Sequence, residues 1–359
     1  MTKVVNLLTL GPIRGVQQDL EDLQAKGIVN LIQVNEPTVE QFQAKIKDIS
    51  AQHHISAIML TYSVLRKIDE TVLQPLVPHL KIVAGGGAGY DNVDIDYLTK
   101  NKAYYANTPI AVSETTAVML ILQTIRNYTQ ATENLRKGEW VTGLPLTPNV
   151  QGLVVGIVGV YQYIPALEYN TETAAGMGMI GKLSAALGMK VVYHNRTRLP
   201  EEGINLPVSQ RGQLIMSCLE EKGATYLEFD ELLQQSRLIT LHCPLTPATR
   251  HLLSDDQFAK MQDGVFIVNT ARGPVIDEEA LVRAMKSGKV ARCGLDVYEN
   301  EPKVHEYLAS SNRTVLLPHY AAFIETIFKD VETESLNNIK AWLEKGVPNT
   351  PVNDPKRAS

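Results

Sequence analysis

Short apolar runs alternate with segments of helical periodicity along most of this chain. In the first hundred residues we expect strands at the runs VVNLLTLG, VNLIQV, ISAIMLTY and LKIVAGGG. The segments VQQDLEDLQAKG and VEQFQAKIKDISAQ between them have the spacing of helices. A strand–helix–strand order predicts a parallel sheet covered by helices, and hence an α/β fold.

A second series of the same kind occupies the rest of the chain. Its strands are expected at LVVGIVGV, MKVVYHN, RLITLHCPL, GVFIVNTARG, RCGLDVYE and TVLLPH. Runs this apolar are typical of strands that are buried on both faces. Between the two series, the stretch SETTAVMLILQTIRNYTQATENLRKG predicts a helix that opens on Ser113 as N-cap and is long enough to connect two domains.

Composition narrows the classes of function. The 359 residues are 44% hydrophobic and 20% charged, as in a globular protein with two cores. The net charge of −5, without a long basic run, gives no support for a nucleic-acid or anionic-membrane partner. The three cysteines are widely spaced, which favours a reducing compartment over a disulfide framework or a cysteine metal site. With no apolar run of about 18 residues, we expect a cytoplasmic protein without a membrane span or bound metal.

The stretch GMGMIG, from Gly176 to Gly181, matches the pattern G-x-G-x-x-G. Glycines at this spacing, between a strand and a helix, let the backbone approach the pyrophosphate of a dinucleotide. A helix is expected at Lys182–Leu187, and another strand follows it. However, sixteen residues separate the glycines from the strand before them, so a glycine-rich loop without a ligand stays the alternative.

The next strand ends at His194 and is followed by Asn195, Arg196, Thr197 and Arg198. A site for NAD places Asp or Glu here to accept a hydrogen bond from the ribose 2′-hydroxyl. Arginine and asparagine instead suit a 2′-phosphate, because a guanidinium pairs with phosphate through two charge-assisted hydrogen bonds. These residues indicate NADP(H) as the preferred cofactor and NAD(H) as the second choice. A solvated basic turn is the alternative.

Three stretches at expected strand ends carry residues suited to acid–base chemistry. They are NTARG with Arg272, DVYENEP with Glu301 and LPHYAA with His319. Ligands of open parallel sheets bind at this edge. There, an arginine can hold a 2-oxo acid, a histidine can protonate its carbonyl oxygen, and a glutamate can keep the imidazole protonated and oriented. Structural roles, such as an arginine that caps a helix, are the alternative.

The order of these motifs resembles that of the D-isomer-specific 2-hydroxyacid dehydrogenases, and in particular their fungal glyoxylate/hydroxypyruvate reductase-like members. The resemblance covers nearly the whole chain, through GGGAGYDNVDID, TPIAVSETTA, GMGMIG, YHNRTR, HCPLTPATRHLL, MQDGVFIVNTARGPVIDEEAL, GLDVYENEP and LLPH. It implies two Rossmann-like α/β domains, one flavodoxin-like and one NAD(P)-binding, with parallel sheets and a cleft between them. The discontinuous substrate-binding domain would comprise residues 1–116 and 323–359, and the cofactor-binding domain residues 117–322.

The resemblance also implies roles for individual residues. The family's catalytic arginine, glutamate and histidine fall on Arg272, Glu301 and His319. The backbone N–H groups that hold the substrate carboxylate fall on Ala88 and Gly89. The positions that contact the cofactor fall on Thr116, Gly176, Gly178, Met179, Ile180, Gly181, Asn195, Arg196, Thr197, Cys243, Pro244, Thr249, Thr270, Ala271 and Asp296.

The implied reaction is the NADPH-dependent reduction of a small 2-oxo acid, such as glyoxylate or hydroxypyruvate, to the D-2-hydroxy acid in a homodimer. Two alternatives use the same fold. One is a catalytically impaired member with a disrupted cofactor turn, and the other is a corepressor-like binding protein.

Four departures from the family pattern bear on the first alternative. About Val160–Gly176 is extra sequence before the glycines, and Gly203–Cys218 is extra after the ribose-binding turn. Both are interpreted either as surface insertions or as translated intron sequence, since removing each leaves a normal motif. The helix in GKLSAALGMK is roughly one turn short. The stretch HYAAFIET has Ala321 in place of the usual glycine and is one residue short before Glu325.

Overall fold

The computed structural model describes residues 4–35, 39–61, 67–108, 114–159, 176–195 and 223–356. Within them, strands β1 to β12 span Val5–Leu10, Val29–Val34, Ile55–Leu60, Ile82–Ala84, Tyr104–Ala106, Val154–Val158, Lys190–His194, Thr225–Tyr226, Leu238–Leu241, Val265–Asn269, Val290–Leu295 and Thr314–Leu316. Helices α1 to α12 span Gln17–Ala25, Val39–Gln52, Glu70–Leu73, Ile95–Lys100, Glu114–Ile125, Tyr128–Lys137, Gly176–Ala186, Phe229–Gln235, Asp255–Lys260, Glu278–Ser287, Glu306–Ser310 and Glu325–Lys345. The chain forms two compact units, one of Met1–Ile110 with Phe323–Ser359 and one of Ala111–Ala322.

The first unit is built on a five-stranded sheet in the order β2-β1-β3-β4-β5, in which every pair is parallel. Four of its strands are the predicted apolar runs, and β5 is additional. Leu336 and Ile339 of α12 are buried against Leu7, Met59 and Ile82 of the sheet. This strand order is that of flavodoxin-like folds, as the sequence predicts.

The last residues of the chain return to the sheet of the first unit at β5. The amide of Val352 donates to the carbonyl of Tyr105 at 2.8 Å, and the amide of Tyr105 donates to Oδ1 of Asn353 at 2.7 Å. Nδ2 of Asn338 in α12 donates to the hydroxyl of Thr350 at 2.9 Å. The two ends of the chain are therefore parts of one folding unit.

The second unit contains a seven-stranded parallel sheet in the order β12-β11-β10-β9-β6-β7-β8. All six apolar runs predicted for it form strands. Val158 of the central strand β6 pairs with His194 of β7 and with Leu241 of β9. Because chain order reverses between β6 and β9, the carboxyl ends of these strands border the place where open α/β sheets bind ligands.

The helix predicted from Ser113 to Gly138 is interrupted, so the expectation of one long helix is wrong. Ser113 lies outside the described residues. Helix α5 ends at Ile125, and α6 begins at Tyr128, after Asn127 with a left-handed φ of 54°. Among the described residues, each helix is too short or too polar to cross a membrane.

A residue from β11 explains why α5 ends where it does. Nη1 of Arg292 donates to the carbonyl oxygens of Thr124 and Ile125, at 3.3 and 2.9 Å. These are terminal carbonyls of the kind that a helix cannot pair internally. Gly294 lets α5 lie close to β11, because a Cβ there would be 2.5 Å from Oγ1 of Thr124.

Candidate active site

A glutamate–histidine pair lies at the carboxyl edge of the second sheet. Nδ1 of His319, which follows β12, is 2.9 Å from Oε2 of Glu301 in the loop after β11. Oε1 of Glu301 also accepts from the amide of Tyr298 at 3.1 Å. The side chain of His319 is 42% exposed, against 22% for Glu301. Since the carboxylate occupies one ring nitrogen, Nε2 is the atom that can exchange a proton with a ligand.

Asp296 fixes the loop that carries His319. Its buried carboxylate accepts from the amides of Tyr320 and Ala321, at 2.6 and 3.0 Å, and its carbonyl accepts from the amide of His319 at 2.7 Å. Burial raises the pKa of Asp296, and the two backbone donors oppose that shift. The sequence places Asp296 among the cofactor contacts, whereas its carboxylate is directed to this loop.

The same hydrogen bonds accommodate two unusual positions. His319 has a φ of 55°, a left-handed conformation that persists in a non-glycine residue only where the surroundings hold it. Ala321 stands where a glycine is expected, but its φ is not in the positive range and its Cβ causes no backbone strain. The replacement of glycine by Ala321 is therefore compatible with the conformation of this loop.

Arg272 follows β10 in a turn that Asn269 organises. Nδ2 of the buried Asn269 donates to the carbonyl of Arg272 at 2.9 Å, and its Oδ1 accepts from the amide of Ala271 at 2.9 Å. A Cβ at Gly273 would lie 1.9 Å from the carbonyl carbon of Tyr298. The arginine turn and the glutamate loop thus pack backbone against backbone.

Asn269 and Tyr298 are not among the site residues predicted from the sequence. The hydroxyl of Tyr298 donates to the carbonyl of Leu317 at 2.8 Å and thereby joins the loops after β11 and β12. The sequence contains a signal for the role of Asn269, because an asparagine that precedes a turn often forms a hydrogen bond to the backbone two residues later. It contains no such signal for Tyr298, since a tyrosine in an apolar run is typical of the core.

The glycine motif lies at the start of α7. The helix begins at Gly176, so the predicted start at Lys182 is wrong. Ile180 is buried with Val155 and Ile157 of β6, which holds the first turns of the helix on the sheet. The motif positions in these turns are Gly176, Gly178, Met179, Ile180 and Gly181. The unpaired N–H groups of a helix start are suited to an anion.

Several predicted features lie outside the described residues. They are Arg196, Thr197, the first insert apart from Gly176, and the second insert, 203–218. Thr116 lies in the first turn of α5.

Three predicted cofactor positions lie in the loop after β9. Cys243 is buried against Gly159, where a Cβ would be 2.5 Å from that of the cysteine. Burial raises the pKa of Cys243 to about 11, so its thiol stays neutral. The hydroxyl of Thr249 donates to the carbonyl of Pro244 at 2.6 Å and accepts from the amide of Thr246 at 2.8 Å. Thr249 therefore shapes its own loop.

Two buried polar atoms at this edge have no hydrogen-bond partner among the described residues. They are Nδ2 of Asn195, after β7, and Oγ1 of Thr270, after β10. Buried polar atoms in native proteins are nearly always paired. A dinucleotide carries the hydroxyl and phosphate oxygens that could pair with both atoms, so the residues fit a nicotinamide cofactor.

The predicted substrate loop, with Ala88 and Gly89, follows β4 in the first unit. Nδ2 of the buried Asn107 donates to the carbonyl of Ala88 at 2.9 Å. The amide of Thr108 donates to the carbonyl of Gly87 at 3.0 Å. The loop is thus fixed through its carbonyl groups by the residues that follow β5.

Known proteins share this architecture. The family described as D-isomer specific 2-hydroxyacid dehydrogenase, NAD binding domain, matches residues 118–321, more than half of the chain. The 4-methyl-2-oxopentanoate reductase A of Aspergillus oryzae is 35% identical over 350 residues, which cover 94% of this chain and 95% of that protein.

Solved structures are also similar to this chain. A glyoxylate reductase from Paecilomyes thermophila is 35% identical, with a TM-score of 0.80 and coverage of 97% of this chain and 98% of its own. An NADPH-dependent glyoxylate/hydroxypyruvate reductase from Sinorhizobium meliloti is 28% identical, with a TM-score of 0.73 and coverage of 97% of each chain. The predicted family and fold class are thereby confirmed. This chain belongs to the D-isomer specific 2-hydroxyacid dehydrogenases.

Proposed function

We propose that this chain reduces a small 2-oxo acid, such as glyoxylate or hydroxypyruvate, to the D-2-hydroxy acid with NADPH. The observation that carries the proposal is the contact of 2.9 Å between Nδ1 of His319 and Glu301, beside the turn of Arg272. Two structural relatives are named glyoxylate reductases, which supports a small 2-oxo acid as the substrate class.

Each residue of the proposed site has one task. His319 gives its Nε2 proton to the carbonyl oxygen, and Glu301 orients the ring and balances its positive charge. Arg272 holds the substrate through two guanidinium hydrogen bonds, and the N–H groups of Ala88 and Gly89 bind its carboxylate. When bound, the nicotinamide supplies the hydride that reduces the carbonyl carbon.

The preference for NADPH is proposed from the residues after β7. Nδ2 of Asn195 has no partner in the described part of the chain and could donate to a 2′-phosphate. Arg196 and Thr197 follow it in the sequence. The S. meliloti relative is NADPH-dependent. The start of α7 would hold the pyrophosphate, and the remaining positions that border the cofactor would be Thr116, Cys243, Pro244, Thr249, Thr270, Ala271 and Asp296.

We assign substrate binding to the unit of Met1–Ile110 with Phe323–Ser359, and cofactor binding to the unit of Ala111–Ala322. Assembly as a homodimer is proposed from exposed apolar residues at the end of α6 and in the loop after it. They are Leu135, Trp140, Val141 and Leu146, each at least 60% exposed. Exposed apolar patches often mark contacts between proteins. We propose a cytoplasmic location, because widely spaced cysteines are typical of proteins in a reducing compartment.

The test titrates the purified 359-residue chain with NADPH and with NADH by fluorescence, and then assays glyoxylate and hydroxypyruvate. We expect tighter binding of NADPH, and a shift toward NADH in Asn195→Asp, because an acidic side chain repels the 2′-phosphate and accepts from a 2′-hydroxyl. Binding without turnover would support a corepressor-like protein. Absence of binding would show that the cofactor turn is disrupted.

A further inference from the structure

Glu299 connects its own loop, after β11, with the loop after β9 and with the start of α10. Its Oε1 accepts from Nε2 of His251 at 2.6 Å and from Nη2 of Arg250 at 3.1 Å. Its Oε2 accepts from the amide of Glu278 at 3.4 Å, and its own amide donates to Oε1 of Glu278 at 2.6 Å. The Glu299 side chain is only 17% exposed. Its partners Arg250 and His251 are more exposed, at 55% and 36%, so these charge-assisted hydrogen bonds are intermediate between buried and surface ion pairs.

These three segments carry or border the proposed site. Arg250 and His251 lie in the loop after β9. Glu278 begins α10, behind the turn of the proposed arginine. Glu299 lies two residues before Glu301 in the loop after β11. One carboxylate therefore connects all three.

A displacement of Glu299 would reach Glu301 through the backbone of the preceding residue. The amide of the preceding residue, Tyr298, donates to Oε1 of Glu301 at 3.1 Å. Oε2 of Glu301 is in turn 2.9 Å from Nδ1 of His319. The position of the Tyr298 amide thus influences the carboxylate, and the carboxylate influences the orientation of the ring.

His251, which contacts Glu299, has an unusual backbone conformation. Its φ is 51°, in the left-handed region that non-glycine residues seldom occupy. Its amide donates to the carbonyl of Pro274 at 2.8 Å, in the loop after β10. A residue in this conformation persists only where its surroundings hold it.

We propose that Glu299, held by His251 and Arg250, is a positioning residue for the Glu301–His319 pair. This rests on the proposed function, in which Glu299 would touch neither substrate nor cofactor. The charged and titratable groups that face it are His251, Arg250 and Glu278, and Glu278 interacts in turn with Glu279 and His305.

The test uses His251→Asn, because asparagine tolerates the left-handed backbone but is too short to reach Glu299. We expect kcat to fall by about 10- to 100-fold, as misplaced catalytic groups do, with a smaller change in the KM for NADPH. Glu299→Ala should lower kcat to a similar extent. Glu299→Gln should retain most of the activity, because its amide oxygen still accepts from His251.

The matched control is Asp230→Asn, which also replaces a carboxylate by an amide and removes an ion pair of the second unit. Oδ2 of Asp230 lies 2.7 Å from Nζ of Lys260, and the structure gives this pair no contact with Glu299, Glu278 or Glu301. Its kcat should equal that of the wild type. A loss in the control as large as that in His251→Asn would overturn the proposal.

A double-mutant cycle separates positioning from general destabilisation. If Glu299 acts through Glu301, His251→Asn should cause no further loss of kcat in the Glu301→Gln background. If the two substitutions instead reduce kcat by factors that multiply, His251 acts independently of Glu301, which would contradict the proposal.

A readout that needs no turnover distinguishes this proposal from the proposed function. In ¹⁵N NMR spectra of histidine-labelled protein, the chemical shift of Nδ1 of His319, which depends on its hydrogen bond to Glu301, should move in His251→Asn in the same direction as in Glu301→Gln. A resonance that moves only in Glu301→Gln would overturn the role of Glu299. A resonance that moves in both, in a chain that reduces no 2-oxo acid, would contradict the proposed function alone.

Discussion

Gly273 determines how closely the arginine turn approaches the loop of Glu301. A Cβ at this position would lie 1.9 Å from the carbonyl carbon and oxygen of Tyr298. Both contacts are with backbone atoms, which cannot rotate away as a flexible side chain can. Any side chain at residue 273 must therefore separate the two loops and move Arg272 relative to Glu301.

Gly273→Ala should lower both stability and activity. We expect a loss of about 1–3 kcal/mol in the free energy of unfolding, as for other overpacked sites. We also expect kcat/KM to fall on the order of 100-fold, since a displacement of about 1 Å has that effect. Urea unfolding and steady-state kinetics measure the two losses.

Gly27→Ala is the control for backbone strain. Its φ of 66° disfavours alanine, but nothing lies within 4 Å of the added Cβ. It should therefore cost about 1 kcal/mol and leave kcat/KM unchanged. Similar losses of activity in both variants would contradict the specific effect of Gly273.

The chemistry of single residues was predictable where it follows from residue type and strand position. Arg272, Glu301 and His319 were found in this way, and the structure brings Glu301 and His319 into contact. Asn269 was not found, because its role depends on the two backbone groups that its amide meets. Those contacts are set by the φ and ψ angles of the turn rather than by residue type.

At the scale of elements, Arg292 shows how one strand residue defines the end of a helix. Arg292 is only 8% exposed, and its guanidinium donates to the last carbonyls of α5 and lies 5.5 Å from the ring centre of Phe266. Burial lowers the pKa of Arg292, but a guanidinium stays protonated in proteins. The positive charge also meets the negative end of the helix dipole.

Arg292→Met should destabilise the chain by about 2–3 kcal/mol, because it removes charge-assisted hydrogen bonds and leaves buried carbonyls unpaired. The urea midpoint measures the loss. Arg283→Met removes an exposed ion pair with Asp255, of 2.6 Å, and should leave the urea midpoint nearly unchanged. If the two variants lose equal stability, Arg292 does not cap α5 as described.

The elements that could be predicted are the long apolar runs and the helices with clear periodicity. Strands β5 and β8 were missed because they have three and two residues, too few to show a pattern. The break between α5 and α6 was missed for another reason. The guanidinium that pairs with the carbonyl of Ile125 is 167 positions later in the sequence, where no local signal indicates it.

In the whole molecule, burial shifts the pKa of a basic group and that of an acidic group in opposite directions. In the second unit, burial lowers the pKa of His242 from 6.5 to about 4. In the first, Glu334 of α12 is 5% exposed, and burial raises its pKa above 4.5. Folding therefore disfavours the protonated histidine and the ionised glutamate.

The division into two parallel sheets was predictable because alternation of strands and helices is a property of the whole sequence. The resemblance places residues 323–359 in the domain of the first sheet, but the contact of the last residues with β5 was not predictable. It depends on backbone hydrogen bonds such as that from Val352 to Tyr105, which any residue type could make.

His242→Gln should flatten the dependence of stability on pH in acid. Below about pH 6.5 the unfolded chain binds a proton that the folded chain refuses, so wild-type stability falls until about pH 4. Glutamine keeps a partner for Oγ1 of Thr240, which lies 2.8 Å from the histidine ring, and does not titrate. Between about pH 7.5 and 4, the free energy of unfolding of the wild type should fall by about 2 kcal/mol more than that of the variant. This figure allows for the residual exposure of His242.

Glu334→Gln should change the pH dependence of stability in the opposite direction, and it is the matched comparison for His242→Gln. The folded pKa of Glu334 lies above its unfolded value, so the folded chain binds more protons there and stability falls as the pH rises through that range. The variant should therefore be more stable than the wild type near pH 7.5 and equal to it near pH 4. Urea midpoints across this range measure both variants. Curves that run parallel to the wild type would show that neither group is linked to folding.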